Sequence, residues 1–258
     1  MTAAPIFDLT GRVALVTGAS SGLGERFSHI LADAGAAVVL AARRTDLLEA
    51  TRAAIQAKGG RAIAVAMDVA DEASTIAAYD AAEAAFGTVD TIIANAGMNS
   101  EGMTTDLPVE EFDRVMAVNL RGPFLTAREG ARRLMAAGSA EKQHGRIVIT
   151  SSVTAHKVDA GLAVYSGSKA GVLQMGKVMA RDWVRKGINV NMICPGYIKT
   201  AINGAWFDTP AGERQIQKFP RRRMMEESDL DAILLFLASD ASRAVTGTHI
   251  TIDDGQSL

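Results

Sequence analysis

The chain has one cysteine, three tyrosines and almost no net charge in 258 residues, with 27 Lys and Arg against 29 Asp and Glu. The single Cys194 excludes an internal disulfide and any cysteine-based metal cluster, and it suits a reducing compartment. Its position before Pro195, after the apolar run 188–193, reads as a buried, inert thiol. A formal charge of −2 offers no attraction to nucleic acid or an anionic membrane. No stretch approaches 18 uninterrupted apolar residues. Residues 1–10 also lack the charged region and apolar core of a secretory leader, so the expectation is a soluble, cytoplasmic protein. The four histidines have no metal-ligand spacing, and no metal is expected. Repeats, low-complexity tracts and linkers are missing too.

What is present is an alternation. Short apolar runs at 13–17, 37–41, 62–66, 91–94, 147–150, 189–193 and 249–252 are separated by helical patterns at 25–34, 46–58, 72–86, 109–135 and 164–186. Continuous apolar character marks strands covered on both faces, hence a parallel sheet between two helical layers. The expected fold is α/β: a Rossmann-type, doubly wound, seven-stranded parallel sheet in three αβα layers, one domain over residues 1–258. Pro108 with Glu110 and Glu111 reads as the first turn of the long helix. The least regular stretch, about 197–226, reads as a substrate-loop insertion. Within it, Arg221, Arg222 and Arg223 are balanced by Glu226, Glu227 and Asp229.

Three local patterns carry chemistry. The first strand runs into Thr17-Gly-Ala-Ser-Ser-Gly-Leu-Gly24 and then a helix. Gly18, Gly22 and Gly24, with Ser20, Ser21 and Leu23 between them, permit a tight turn and let a pyrophosphate approach a helix N-terminus. A strand–helix turn without a ligand is the alternative. After the second strand, Ala42 stands where an acid would hold a ribose 2′-hydroxyl, followed by Arg43 and Arg44. Guanidinium groups match phosphate geometry, which favours NADP(H), with NAD(H) possible; the alternative is a solvated loop pair. Finally, Tyr165 and Lys169 share a helix face about 5–6 Å apart at Cβ. An adjacent ammonium lowers a phenol's pKa by about 1–3 units, making the tyrosine a proton donor and acceptor.

On these residues the chain resembles the short-chain dehydrogenase/reductase family over essentially its whole length, close to the 3-oxoacyl-acyl-carrier-protein reductase branch. The resemblance implies a tetrad of Asn119, Ser152, Tyr165 and Lys169, with Ser151 as the alternative register for Ser152. It places Asp68 and Val69 beside the adenine, and Asn95, Ala96 and Gly97 in the family's Asn-Asn-Ala-Gly element, with Ala94 replacing the first Asn. Asp90 supports that strand, and Pro195, Gly196, Ile198 and Thr200 hold the nicotinamide carboxamide. It also implies that the helix break near Gly122-Pro123 holds a water linking Lys169 to solvent.

The expected function is an NADP(H)-dependent oxidoreductase moving a hydride between nicotinamide and a ketone or secondary alcohol, with Tyr165 as general acid/base. The alternatives are a 3-oxoacyl thioester reductase, for which Arg132 and Arg133 could dock an acidic carrier, and a non-catalytic dinucleotide-binding regulator. Retention of all four tetrad groups favours the enzyme. Met98, Val153, His156 and Leu162 are expected around the substrate, Tyr197 beside the nicotinamide, and Ile202, Ala205, Trp206 and Phe207 as an apolar lid. That environment suits an uncharged small-molecule substrate. The helix containing 233–237 is apolar around too much of its surface for one buried face, and a homotetramer is expected.

Overall fold

The computed structural model describes residues 7–199 and 207–258. Seven strands are found among them: β1 (Val13–Thr17), β2 (Ala37–Ala42), β3 (Arg61–Ala66), β4 (Thr91–Ala94), β5 (Gly145–Thr150), β6 (Ile188–Pro195) and β7 (His249–Ile252). They form one sheet in the order β3-β2-β1-β4-β5-β6-β7, with every neighbouring pair parallel. Strands β1, β4, β5 and β6 are buried at every residue, whereas the edge strands β3 and β7 include exposed positions. This is why the inner strands read as unbroken apolar runs.

The two faces of β1 sort the helices. Ala14 and Val16 pack on one side with Phe27 and Leu31 of α1 (Gly22–Asp33), Leu48 and Ile55 of α2 (Thr45–Ala57), and Leu234 and Leu237 of α9 (Asp231–Ala238). Val13 and Leu15 pack on the other with Tyr79 of α3 (Glu72–Phe86), Ala127 and Leu134 of α5 (Gly122–Ala136), and Val172 and Met179 of α7 (Ala163–Trp183). The result is a three-layer, doubly wound single domain.

The helical pattern over 109–135 is interrupted just before Gly122-Pro123, beside the expected break, and forms two helices. α4 (Val109–Met116) passes through a π-turn (Ala117–Arg121) into α5. Pro123 has no N–H, so the Asn119 carbonyl cannot have its usual partner four residues on, and Gly122 N–H instead bonds Ala117 five residues back. The single turn α6 (Ser139–Lys142) follows before β5. The stretch read as irregular contains α8 (Pro210–Lys218), opened by Pro210 and by Thr209, whose hydroxyl accepts from Gly212 N at 3.2 Å.

Three further expectations are revised. Arg133 is not free for a carrier: Asp80 and Glu83 of α3 and Glu129 of α5 surround its guanidinium at 2.7–2.8 Å. Arg221 and Arg223 pair with Asp254 near the end of the chain rather than with the nearby acids. In α9, Ile233, Leu235 and Phe236 pack half-buried on the chain's own core. Exposed apolar side chains lie elsewhere, among them Val109 and Phe112 on α4, Phe124 on α5 and Val178 on α7. No helix of the described residues is long and apolar enough to cross a membrane.

Candidate active site

In a doubly wound sheet the crevice opens where strand order reverses, at the carboxyl ends of the strands. Here the reversal falls between β1 and β4, and a cavity of about 1000 Å³ lies there. Its floor is main chain. Thr17 Oγ1 accepts from Asn95 N and Ala96 N, both at 3.0 Å, and Asn95 Nδ2 donates to Thr17 O at 3.2 Å. A hydrogen bond from Thr150 to Asn95 Oδ1 at 3.3 Å adds β5 to the assembly. Below it, buried Asp90 accepts from Arg12 and from Val13 N, both at 3.4 Å, and ties β1 to β4; burial pushes its carboxyl pKa up.

Gly18 has a φ of +71°, and a Cβ there would lie 2.9 Å from Ala96 Cα. At Gly24 a Cβ would fall inside the Gly18 carbonyl. Only glycine leaves this turn open. Ser20, Ser21, Gly22 and Leu23 line the cavity with it, as do Arg43, Arg44, Asp68, Val69, Ala96 and Gly97. Arg44 reaches back across the turn to donate to Ser20 Oγ at 2.9 Å and Ser21 Oγ at 2.8 Å, so cationic and hydroxyl donors converge beside the open main chain.

Ser152, Tyr165 and Lys169 face the same cavity. Ser151 does not compete for the role, because its hydroxyl donates to Lys169 O at 2.9 Å and is buried. Ser152 starts a 3-10 turn (Val153–Ala155) and accepts from Thr154 N at 3.2 Å and from the Thr154 hydroxyl at 3.0 Å. Lys169 Nζ donates to Thr150 O at 3.0 Å and stands 5.7 Å from the centre of the Tyr165 ring. Burial pushes the ammonium pKa down to about 8. Burial also holds the Tyr165 phenol above its ordinary value, against the lowering effect of its hydrogen bond with Ser152. The expected depression of Tyr165 by Lys169 is therefore outweighed: a low-dielectric pocket penalises tyrosinate and ammonium alike.

Asn119 is fully buried in the π-turn. Its side chain accepts from Met98 N at 2.9 Å and donates to Met98 O at 2.9 Å and to Ser168 Oγ at 3.1 Å. Ser168 in turn donates to Tyr165 O at 2.6 Å. Asn119 thus clamps the segment after β4 to the turn of α7 that carries Tyr165.

Among the expected substrate contacts, Met98, Val153, Leu162 and Phe207 line the cavity, as do Pro195, Gly196, Tyr197 and Ile198. Thr200, Ile202, Ala205 and Trp206 lie outside the described residues. His156 does not line the cavity. The turn after Ser152 carries it outward to His249, with ring centres 6.2 Å apart, and to Thr251 at 3.5 Å. The wall is also less neutral than the sequence suggests, since Glu101, Asp159 and Lys218 border it. No spacing or motif marks those three. Cys194 is buried with its thiol pKa pushed up by burial, and it stays a core residue. Among the described residues, no group of three or more His, Cys, Asp or Glu is placed to hold a metal ion.

A family model described as short chain dehydrogenase matches residues 12–211. The chain is 33% identical over 252 residues to a D-threitol dehydrogenase of Mycolicibacterium smegmatis, covering 98% of this chain and 95% of that one. It is 36% identical over 268 residues to a versicolorin reductase of Emericella nidulans, covering 99% of each. The crystal structure of a gluconate 5-dehydrogenase from Burkholderia cenocepacia, in complex with NADP and tartrate, matches with a TM-score of 0.91 at 33% identity. That match covers 97% of this chain and 96% of that one.

Proposed function

The chain belongs to the short chain dehydrogenase family, and on that premise we propose that it moves a hydride between NADP(H) and an uncharged ketone or secondary alcohol. The observation that carries the reading is the opening of Ser152, Tyr165 and Lys169 onto the cavity that also receives the glycine turn.

The cavity fits a dinucleotide. Glycines at 18 and 24 keep free the cradle that a Cβ would fill, and a volume of about 1000 Å³ accommodates a large ligand. Gly18–Gly24 would hold the pyrophosphate at the N-terminus of α1, and Asp68 and Val69 would border the adenine. Arg43 and Arg44 with Ser20 and Ser21 suit a 2′-phosphate. Asn95, Ala96, Gly97 and Lys169 would border the nicotinamide ribose, and Pro195, Gly196 and Ile198 the carboxamide. When bound, the nicotinamide supplies or accepts the hydride.

The protein's own groups handle the oxygen and the proton. Ser152 donates a hydrogen bond to the carbonyl oxygen, and Tyr165 donates its phenolic proton as charge develops there. A phenol kept neutral by burial is ready as the acid when the carbonyl is reduced. Lys169, largely protonated at neutral pH, stands behind Tyr165 as the next cation along the proton path. Asn119 positions Met98 and, through Ser168, the Tyr165 turn. Met98, Val153, Leu162 and Phe207 supply the apolar surface against which an uncharged substrate rests.

Self-association as a homotetramer remains part of this reading. It is supported by the exposed apolar side chains on α4, α5 and α7 and by the groove that Met116, Leu120, Phe124 and Met175 form between them. A cytoplasmic setting fits the single buried cysteine. The test of the cofactor assignment is direct titration. NADPH should bind more tightly than NADH, and Ala42→Asp with Arg43→Leu should move the preference toward NADH. Tighter binding of NADH by the parent protein would overturn the phosphate reading.

A further inference from the structure

The cavity has a second polar centre besides Ser152 and Tyr165, which hydride transfer does not require. Tyr197, just beyond β6, donates its hydroxyl proton to Asp159 Oδ2 at 2.7 Å. Asp159 comes from the loop between β5 and α7, so the bond joins two walls of the cavity, and both residues line it. Lys157 approaches the other carboxylate oxygen at 3.3 Å and lies 5.3 Å from the centre of the Tyr197 ring. The ring is held on three sides. It stacks on Phe219 at 5.4 Å and meets Phe207 edge-on at 5.7 Å. Its backbone N–H donates to Gln256 Oε1 at 2.6 Å, and its carbonyl accepts from Gln256 Nε2 at 3.3 Å.

We propose that Asp159 and Tyr197 form a hydroxyl-reading subsite, so that the preferred substrate carries a second hydroxyl group remote from the carbon that gains or loses hydride. The inference rests on the oxidoreductase reading of this cavity and specifies its substrate class.

The chemistry follows from which groups still have capacity. The phenolic proton of Tyr197 is committed to Asp159, so its oxygen faces a ligand as an acceptor. A carboxylate has about four lone-pair sites, and among the described residues Tyr197 and Lys157 occupy one on each oxygen. The pair therefore offers acceptors, and a group that donates a hydrogen bond satisfies them. A ketone with only a hydrocarbon tail would desolvate them without replacement, which is the situation in which a hydrogen-bonding site discriminates most strongly. An anionic tail would meet Asp159, and Glu101 also lines the cavity, close enough to act on the Tyr197 phenol. Lys157 offsets the charge of Asp159, so the subsite suits a neutral donor such as a hydroxyl. Burial and the neighbouring Asp159, Tyr165 and Glu101 all raise the Tyr197 pKa, which keeps the phenol neutral and its bond to Asp159 intact.

The experiment uses methyl ketones bearing a terminal hydroxyl two to five carbons from the carbonyl. Each is paired with the ketone lacking the hydroxyl and with the corresponding oxo-carboxylate, and NADPH oxidation is followed. For at least one spacing, kcat/KM of the hydroxyketone should exceed that of its deoxy partner by about tenfold or more, chiefly through KM, with the oxo-carboxylate poorer than both. Asp159→Asn and Tyr197→Phe should each reduce that preference to below about threefold by lowering kcat/KM for the hydroxyketone more than for its partner. Equal losses on both ketones would make the pair a structural brace and overturn the proposal, as would a parent enzyme indifferent to the hydroxyl at every spacing. Turnover of deoxy ketones without a preference sinks the subsite alone. No turnover of any ketone overturns the subsite together with the ketone reading beneath it.

Discussion

On the β1 side of the cavity the wall is main chain, whereas on the β6 side it is side chain. The first wall is set by glycines that leave no room for a Cβ and by Thr17 and Asn95, which bind strand ends through amides and carbonyls. The second is set by Tyr197, leaning on two phenylalanines and roped to Asp159 and Gln256. A main-chain wall recognises what its amides fit, and apart from the Arg43 and Arg44 side chains at its rim it cannot be retuned without moving the sheet. A side-chain wall can be changed one residue at a time while the sheet stays where it is. Recognition of a shared cofactor belongs on the first and choice of substrate on the second.

Substitutions can break or sharpen this division. The largest effect is expected where the walls meet. Tyr165→Phe keeps the ring and removes the transferable proton, so turnover should fall by about 10²-fold or more while NADPH binding is unchanged. Steady-state rates beside a binding titration check this, and near-normal turnover would remove Tyr165 from the chemistry.

Next comes the main-chain wall. Gly24→Ala places a Cβ inside the Gly18 carbonyl, where the strand–helix turn has no slack. It should cost about 1–3 kcal/mol of stability and weaken NADPH binding together. Thermal unfolding with and without NADPH measures both, and a variant that binds NADPH normally would show that this wall yields after all.

The mildest effect is expected on the side-chain wall. Gln256→Ala removes both backbone braces of Tyr197 and should raise KM about three- to tenfold with the NADPH Kd unchanged, the worth of one or two modest hydrogen bonds. If the NADPH Kd rises as much as KM, the two walls are not separable.

The same contrast explains what was legible in the sequence. β1, β4, β7 and α3 match their expected limits residue for residue, because apolar runs and caps are local signals. The glycine turn was equally plain, since its constraint is the glycines themselves. The break at 117–121 was marked by Gly122-Pro123 and its missing donor, although the helical pattern runs through it and does not show its π-turn geometry. α8 has a readable start at Thr209-Pro210, but nine mostly polar residues carry no apolar stripe to announce a helix. The Tyr197 wall was the least legible part. Its partners Asp159 and Gln256 lie 38 and 59 residues away, and no periodicity or spacing encodes a contact across such distances. His156 failed for a related reason: four residues from Ser152 is close along the chain, but the intervening turn points it to the opposite side.

The brace from Gln256 to Tyr197 also has a consequence in time. A chain leaving the ribosome has completed β1 to β4, the half of the sheet that carries the glycine turn, once Ala94 has been joined. Tyr197 gains its backbone partner only when Gln256 follows, on the order of ten seconds later at typical rates of synthesis. The nascent protein thus passes through an interval in which the nucleotide side can already be taking shape while the substrate side has no means of closing.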